Sequence, residues 1–146
     1  MTETTERTRG RCHCGAVSFT VRGKLRDVLI CHCSDCLRHH GHASAHTRCA
    51  GADLEMQEVR GLRWFDTSET GSRGFCNECG SLLFFRRKGV DGLAINAGVL
   101  DPPTGLRTVA HLFVTSKPDY YELENDGAPK LNGMPSAAEM AAYRYS

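Results

Sequence analysis

The chain predicts a mainly β fold, one domain of packed antiparallel sheets. Three observations predict it. Short runs of alternating, β-branched and aromatic residues recur along the chain, separated by Gly, Ser and Asn. Long amphipathic helical periods are absent. Seven of the eight cysteines fall into three clusters, Cys12/Cys14, Cys31/Cys33/Cys36 and Cys76/Cys79. Such clusters hold a small β domain together through zinc, so the domain is read as zinc-stabilised.

The elements follow in order. Residues 1–9 are polar and read as a flexible lead. Residues 16–22 (AVSFTVR) alternate and predict a strand that Gly23 ends. Residues 27–30 predict a second strand, running into Cys31-His32-Cys33-Ser34-Asp35-Cys36. Residues 35–40 predict one helical turn stopped by Gly41. Strands are expected over 43–50, 53–60 and 62–67, then a Ser/Gly/Thr loop over 68–74. Phe75-Cys76-Asn77-Glu78-Cys79-Gly80 reads as a tight knuckle, followed by a buried strand over 81–85. Residues 93–97 and 108–114 are the last strands. Ser136-Ala137-Ala138-Glu139 is a capping-box pattern that opens a short helix to about Tyr143. A helix that short must dock or fray. The folded domain is placed at 10–134 and a C-terminal tail at 135–146.

Bulk properties narrow the function classes. A chain of 146 residues can bury roughly 68–70% of its unfolded surface, enough for a core without disulfides. The formal net charge of +1 gives no general attraction to nucleic acid or to a membrane surface, and neither is expected as a partner. No apolar run reaches transmembrane length, and the N-terminus lacks the apolar centre of a signal peptide. A cytoplasmic location is therefore expected. Thiols stay reduced there, so dense cysteine points to metal or to chemistry.

The cysteine arithmetic divides the clusters. A thiolate tetrahedron needs four sulfurs, and Cys12, Cys14, Cys76 and Cys79 supply them, closing a long loop. Cys31, Cys33 and Cys36 remain. Three protein ligands with one open position is the habit of catalytic zinc, and sulfur ligands favour zinc or cuprous copper. The expected complement is two zinc ions per chain. Rival readings are a redox pair at Cys76/Cys79, an iron–sulfur cluster, and one Cys₄ site with other partners. The His-x-Glu and Pro-Cys-x-x-Cys pattern of zinc deaminases is absent. Cys49 reads as a small half-buried hydrophobe. On an extended backbone His32 points away from its two neighbouring thiols. That makes it a proton-transfer or outer-sphere candidate rather than a fourth ligand.

The layout resembles a known family. Arg11-Cys12-His13-Cys14-Gly15-Ala16-Val17 is similar to the opening motif of the glutathione-dependent formaldehyde-activating enzyme family, also described as the domain of centromere protein V. Cys31 to Cys36 followed by Gly41, and Gly74-Phe75-Cys76-Asn77-Glu78-Cys79-Gly80-Ser81-Leu82, resemble its second and third motifs. Residues 97–102 and 111–117 resemble its downstream segments. The resemblance runs from about residue 9 to about residue 134. It departs at Leu37, where the family often has Arg, and at Tyr120 and Tyr121, where it commonly has Trp.

The resemblance implies a β-tent fold with two zinc sites. Cys12, Cys14, Cys76 and Cys79 match the structural ligands, and Cys31, Cys33 and Cys36 the catalytic ones. It implies a carbon–sulfur lyase that joins a glutathione-like thiol to a small aldehyde such as formaldehyde, in the manner of S-hydroxymethylglutathione synthase. The thiol would arrive as thiolate at the three-cysteine site. His32, another histidine or water would supply the proton to the new alkoxide. The alternative class is a non-catalytic zinc-stabilised module that binds a partner or senses thiol or metal.

Overall fold

A computed structural model describes residues 7–143. In chain order the elements are β1 (Arg7–Arg11), β2 (Ser18–Arg22), β3 (Val28–Cys31), α1 (Ser34–His40), β4 (Ser44–Cys49), β5 (Leu54–Glu58), β6 (Leu62–Asp66), β7 (Gly71–Cys76), β8 (Leu82–Arg87), β9 (Leu93–Asn96), β10 (Thr108–Leu112) and α2 (Ala137–Ala142). The mainly β class is as expected. Within it the residues gather into two compact units interleaved along the chain. One runs through Leu25 and again from Thr47 to Gly105; the other holds Arg26–His46 and the chain from Leu106 onward.

In the first unit β1 and β5 flank β2, both antiparallel to it. Strand β1 corrects the expected lead: residues 7–9 pair with Arg22, Val21 and Thr20, and residues 1–6 lie outside the described residues. The strand has no apolar side chain to announce it. Only Gly10 is buried, and a Cβ there would sit 2.3 Å from the Phe19 ring. Strands β9, β8, β7 and β6 lie side by side, antiparallel. Residues 71–74 of the expected 68–74 loop belong to β7. Its glycines read as loop residues, yet they make room for rings: a Cβ on Gly71 would meet Phe85 at 2.9 Å, and one on Gly74 would meet Phe84 and Trp64 at 3.1 Å. The core is Val17, Phe19, Val21, Leu83, Phe84 and Ile95, with Phe19 edge-on to Phe84.

In the second unit β3 lies between β10 and β4. It is antiparallel to β4 but parallel to β10, which departs from an all-antiparallel expectation. No hairpin dictates the direction of two strands so far apart in sequence. The core holds Leu29, Cys31, Cys36, Ala110 and Leu112, against which Phe113, Leu131, Met140 and Tyr143 pack. The short C-terminal helix thus docks. Ser136 accepts the Glu139 N–H and Glu139 accepts the Ser136 N–H, the full capping box. Gly41, at φ 75°, closes α1 through its N–H to the Leu37 carbonyl.

Candidate functional site

Each unit carries one thiol cluster. In the first, the Cys12 N–H bonds to the Val17 carbonyl and closes the bend after β1. The knuckle after β7 closes by Cys76 N–H to Ser81 and Gly80 N–H to Cys76, with Gly80 at φ 82°. These two turns bring the Cys12, Cys14, Cys76 and Cys79 sulfurs within 4.8 Å of one another. Cys12 and Cys14 sulfurs are 3.7 Å apart, and Cys14 and Cys76 sulfurs 3.8 Å. Tetrahedral zinc with bonds of about 2.3 Å needs sulfurs about 3.8 Å apart, so the donor set fits that ion. Val17 N–H donates to Cys12 Sγ and Glu78 N–H to Cys76 Sγ, as thiolates require. The Ser81 hydroxyl lies 3.2 Å from Cys79 Sγ and pulls that thiol down to about 5. Gly61 completes this site, because a Cβ there would lie 2.7 Å from Cys76 Sγ.

In the second unit Cys31 ends β3, Cys33 is the N-cap of α1 and Cys36 lies inside that helix. Cap geometry therefore sets the spacing: Cys33 Sγ accepts the Cys36 N–H at 3.4 Å. Ser44, opposite Cys31 across the β3–β4 pair, donates its hydroxyl to Cys36 Sγ at 3.3 Å. The three sulfurs again lie within 4.8 Å of one another, and among the described residues no histidine or carboxylate joins them. Hydrogen bonding with Cys36 and burial push the Cys31 thiol up, and burial does the same to Cys33. A metal entering here displaces protons.

His32 is fully buried and stays out of the triple. Its Nε2 is 3.2 Å from His111 Nδ1, and His111 Nε2 is 2.7 Å from Asp126 Oδ2. The His32 and His111 rings meet edge to edge through that Nε2–Nδ1 contact, their centroids 5.4 Å apart, and the Tyr121 ring centroid is 6.0 Å from that of His32. Burial lowers the His32 pKa, and the neighbouring His111 lowers it further. His42 bonds to the Tyr120 hydroxyl and meets Tyr121 edge-on. Cys49 is fully buried rather than half-buried and stands apart from both clusters, its thiol pushed up to about 11 by burial.

Sequence reasoning grouped the seven cysteines correctly but did not single out Ser44, Gly61, His111 or Asp126. His111 sits within a strand pattern and Asp126 in a turn, so neither has a local signal. Only the β10–β3 pairing places His111 opposite Ile30, one residue before Cys31.

Fold and clusters together define a small, mainly β protein built around two cysteine groups able to hold metal. Residues 7–116 match the family model described as glutathione-dependent formaldehyde-activating enzyme, and the chain belongs to that family. It is 28% identical over 140 residues to a Halomonas elongata protein provisionally assigned that same name, covering 80% of each chain. A crystal structure of a Rhodobacter sphaeroides protein has the same fold, with a TM-score of 0.56 and 24% identity over 68% of this chain and 97% of that one. No helix among the described residues is long and apolar enough to cross a membrane.

Proposed function

We propose that this protein is a zinc-dependent carbon–sulfur lyase that joins a glutathione-like thiol to a small aldehyde such as formaldehyde, in the manner of S-hydroxymethylglutathione synthase. The observation that carries the reading is the division of sulfurs into four and three, the three having no fourth ligand among the described residues. Cys12, Cys14, Cys76 and Cys79 would hold a structural zinc, and Cys31, Cys33 and Cys36 a catalytic one. Zinc bound by three thiolates offers a further coordination position and lowers the pKa of a thiol that takes it. Beside the three thiols the chain supplies the cap of α1 and the Ser44 hydroxyl on Cys36, and His32 lies between Cys31 and Cys33 in the sequence. The cytoplasm, where glutathione is abundant and thiols stay reduced, suits this chemistry.

One observation favours the second reading, a non-catalytic zinc module. Cys31 and Cys36 are themselves core residues, packed with Leu29, Ala110 and Leu112. The test is the rate of adduct formation from glutathione and formaldehyde by exchange NMR, with and without the zinc-loaded protein. Acceleration that disappears in Cys33→Ser supports the enzyme. A rate equal to the uncatalysed one, with zinc still bound at both clusters, establishes the module instead.

A further inference from the structure

Strand pairing puts cations and rings side by side on one face of β6, β7 and β8. Phe65 lies opposite Arg73, Arg73 opposite Phe85, and Gly71 opposite Arg87. Side chains two apart on a strand share a face, so Arg63 joins Phe65 there and Arg87 joins Phe85. The Phe85 ring leans over Gly71, where a Cβ would meet it at 2.9 Å. It holds two guanidinium groups, Arg73 at 5.2 Å and Arg87 at 5.8 Å from its centroid. At the edge of the sheet, Arg63 donates through Nη1 to the Arg60 and Leu62 carbonyls, which fixes its guanidinium beside Phe65. Phe65 is 56% exposed, and Arg63 and Arg87 are exposed too, while Arg73 is buried beneath them. The one carboxylate in these three strands, Asp66, is on the other face, where it accepts the Ser72 hydroxyl. The net charge of +1 averages this face with the rest of the chain; locally it carries three arginines and no carboxylate.

We propose that this face binds single-stranded nucleic acid, with a base stacked on Phe65 and the phosphates on either side of it held by Arg63 and Arg87. Phe85 and Arg73 are the floor that keeps Arg87 in place. A ligand for this pattern must alternate flat rings with anions, and each nucleotide of a single strand supplies one of each. An acidic peptide supplies carboxylates without the rings, and a duplex keeps its ring faces inside the stack. Stacking and phosphate contacts carry no sequence preference of their own. The proposal needs no reaction at the thiols, so it stands or falls apart from the function proposed above.

The test is fluorescence anisotropy of a short labelled oligothymidylate, titrated with the zinc-loaded full chain at several salt concentrations. Saturable binding is expected, with log affinity falling against log salt at a slope of about −1.4 for two phosphates of a single strand. Phe65→Ala should weaken binding about tenfold and leave that slope unchanged. Phe65→Leu, which keeps apolar bulk without a ring, should do the same and covers a Phe65→Ala protein that melts early. Arg63→Gln should weaken binding and take about 0.7 off the slope. Arg86 lies on the other face, over the Trp64 ring at 3.7 Å, and Arg86→Gln should change neither quantity. Absence of saturable binding at low salt overturns the proposal. So does wild-type affinity in both Phe65 variants, or a duplex bound as tightly as the single strand. Displacement of the strand by polyglutamate at equal charge would make the face a general anion surface, and loss in Arg86→Gln equal to that in Arg63→Gln would put the binding elsewhere; either result overturns it.

Discussion

At the residue scale, Gly61 sets how the four-cysteine group sits. Gly61 bonds by its N–H to the Ala16 carbonyl and by its carbonyl to the Asn77 N–H, so its backbone is pinned between the two cysteine turns. Its missing Cβ is the room that Cys76 Sγ and Ala16 occupy. Gly61→Ala should cost about 1–3 kcal/mol through overpacking. It should also release zinc from the four-cysteine group at a lower chelator concentration, which a competition titration against a chromogenic chelator reads. Asp126 makes a different prediction. The bond to His111, with Ala128 N–H and Lys130 behind it, holds its carboxyl well below the usual carboxylate range. A depressed folded pKa contributes stability above the unfolded value of about 3.9, lost as pH falls through the folded one. Wild type should therefore exceed Asp126→Asn in urea midpoint at pH 7, and the gap should narrow below about pH 4. A gap that stays constant down to pH 2 contradicts this account.

At the element scale, α1 and α2 turn capping into site geometry. Cys33 is both the cap of α1 and a member of the three-thiol group, so helix register and sulfur spacing are one constraint. Helix α2 is too short to persist alone and is held by its capping box and by Met140 and Tyr143 on the core that includes Cys31 and Cys36. Ser136→Ala should lower local stability by about 1 kcal/mol. Amide exchange across residues 137–142 should then quicken about fivefold, with zinc content unchanged. Equal exchange in both proteins would mean the helix is held by packing alone. Strand β7 shows the limit of local reading, because Gly71 and Gly74 serve the aromatic rings of β8 and β6 beside them.

At the scale of the whole molecule, the proposed function gives the two clusters different work. The four-cysteine group ties the bend after β1 to the knuckle after β7 across a long stretch of chain. Metal there is folding free energy, on the order of 10 kcal/mol for structural zinc at neutral pH. Cys79→Ser should yield a protein with a non-cooperative thermal melt and at most one zinc. Cys33→Ser, altering the partly exposed member of the triple, should keep a cooperative melt and the far-ultraviolet spectrum and carry one zinc instead of two. Elemental analysis with circular dichroism on the two variants checks this. Equal damage from both would erase the division into structural and catalytic sites.

The sequence by itself determined the class of fold, because strand periodicity and turn residues are local. It also determined the seven cysteines and their grouping, because ligand number and spacing are chemistry that the order of residues already contains. Ten of its expectations for individual elements survive with shifted ends; the strand at Arg7–Arg11 and the first half of β7 do not come from local pattern at all. Tertiary structure decided what depends on distant partners. The pairing of β10 with β3 brings His111 to His32, the turn around Asp126 sets a carboxylate against His111, and close backbone approach makes Gly61 part of the four-cysteine site. None of these leaves a periodic or compositional trace, because each is a contact between residues far apart in sequence, formed only once the chain has packed.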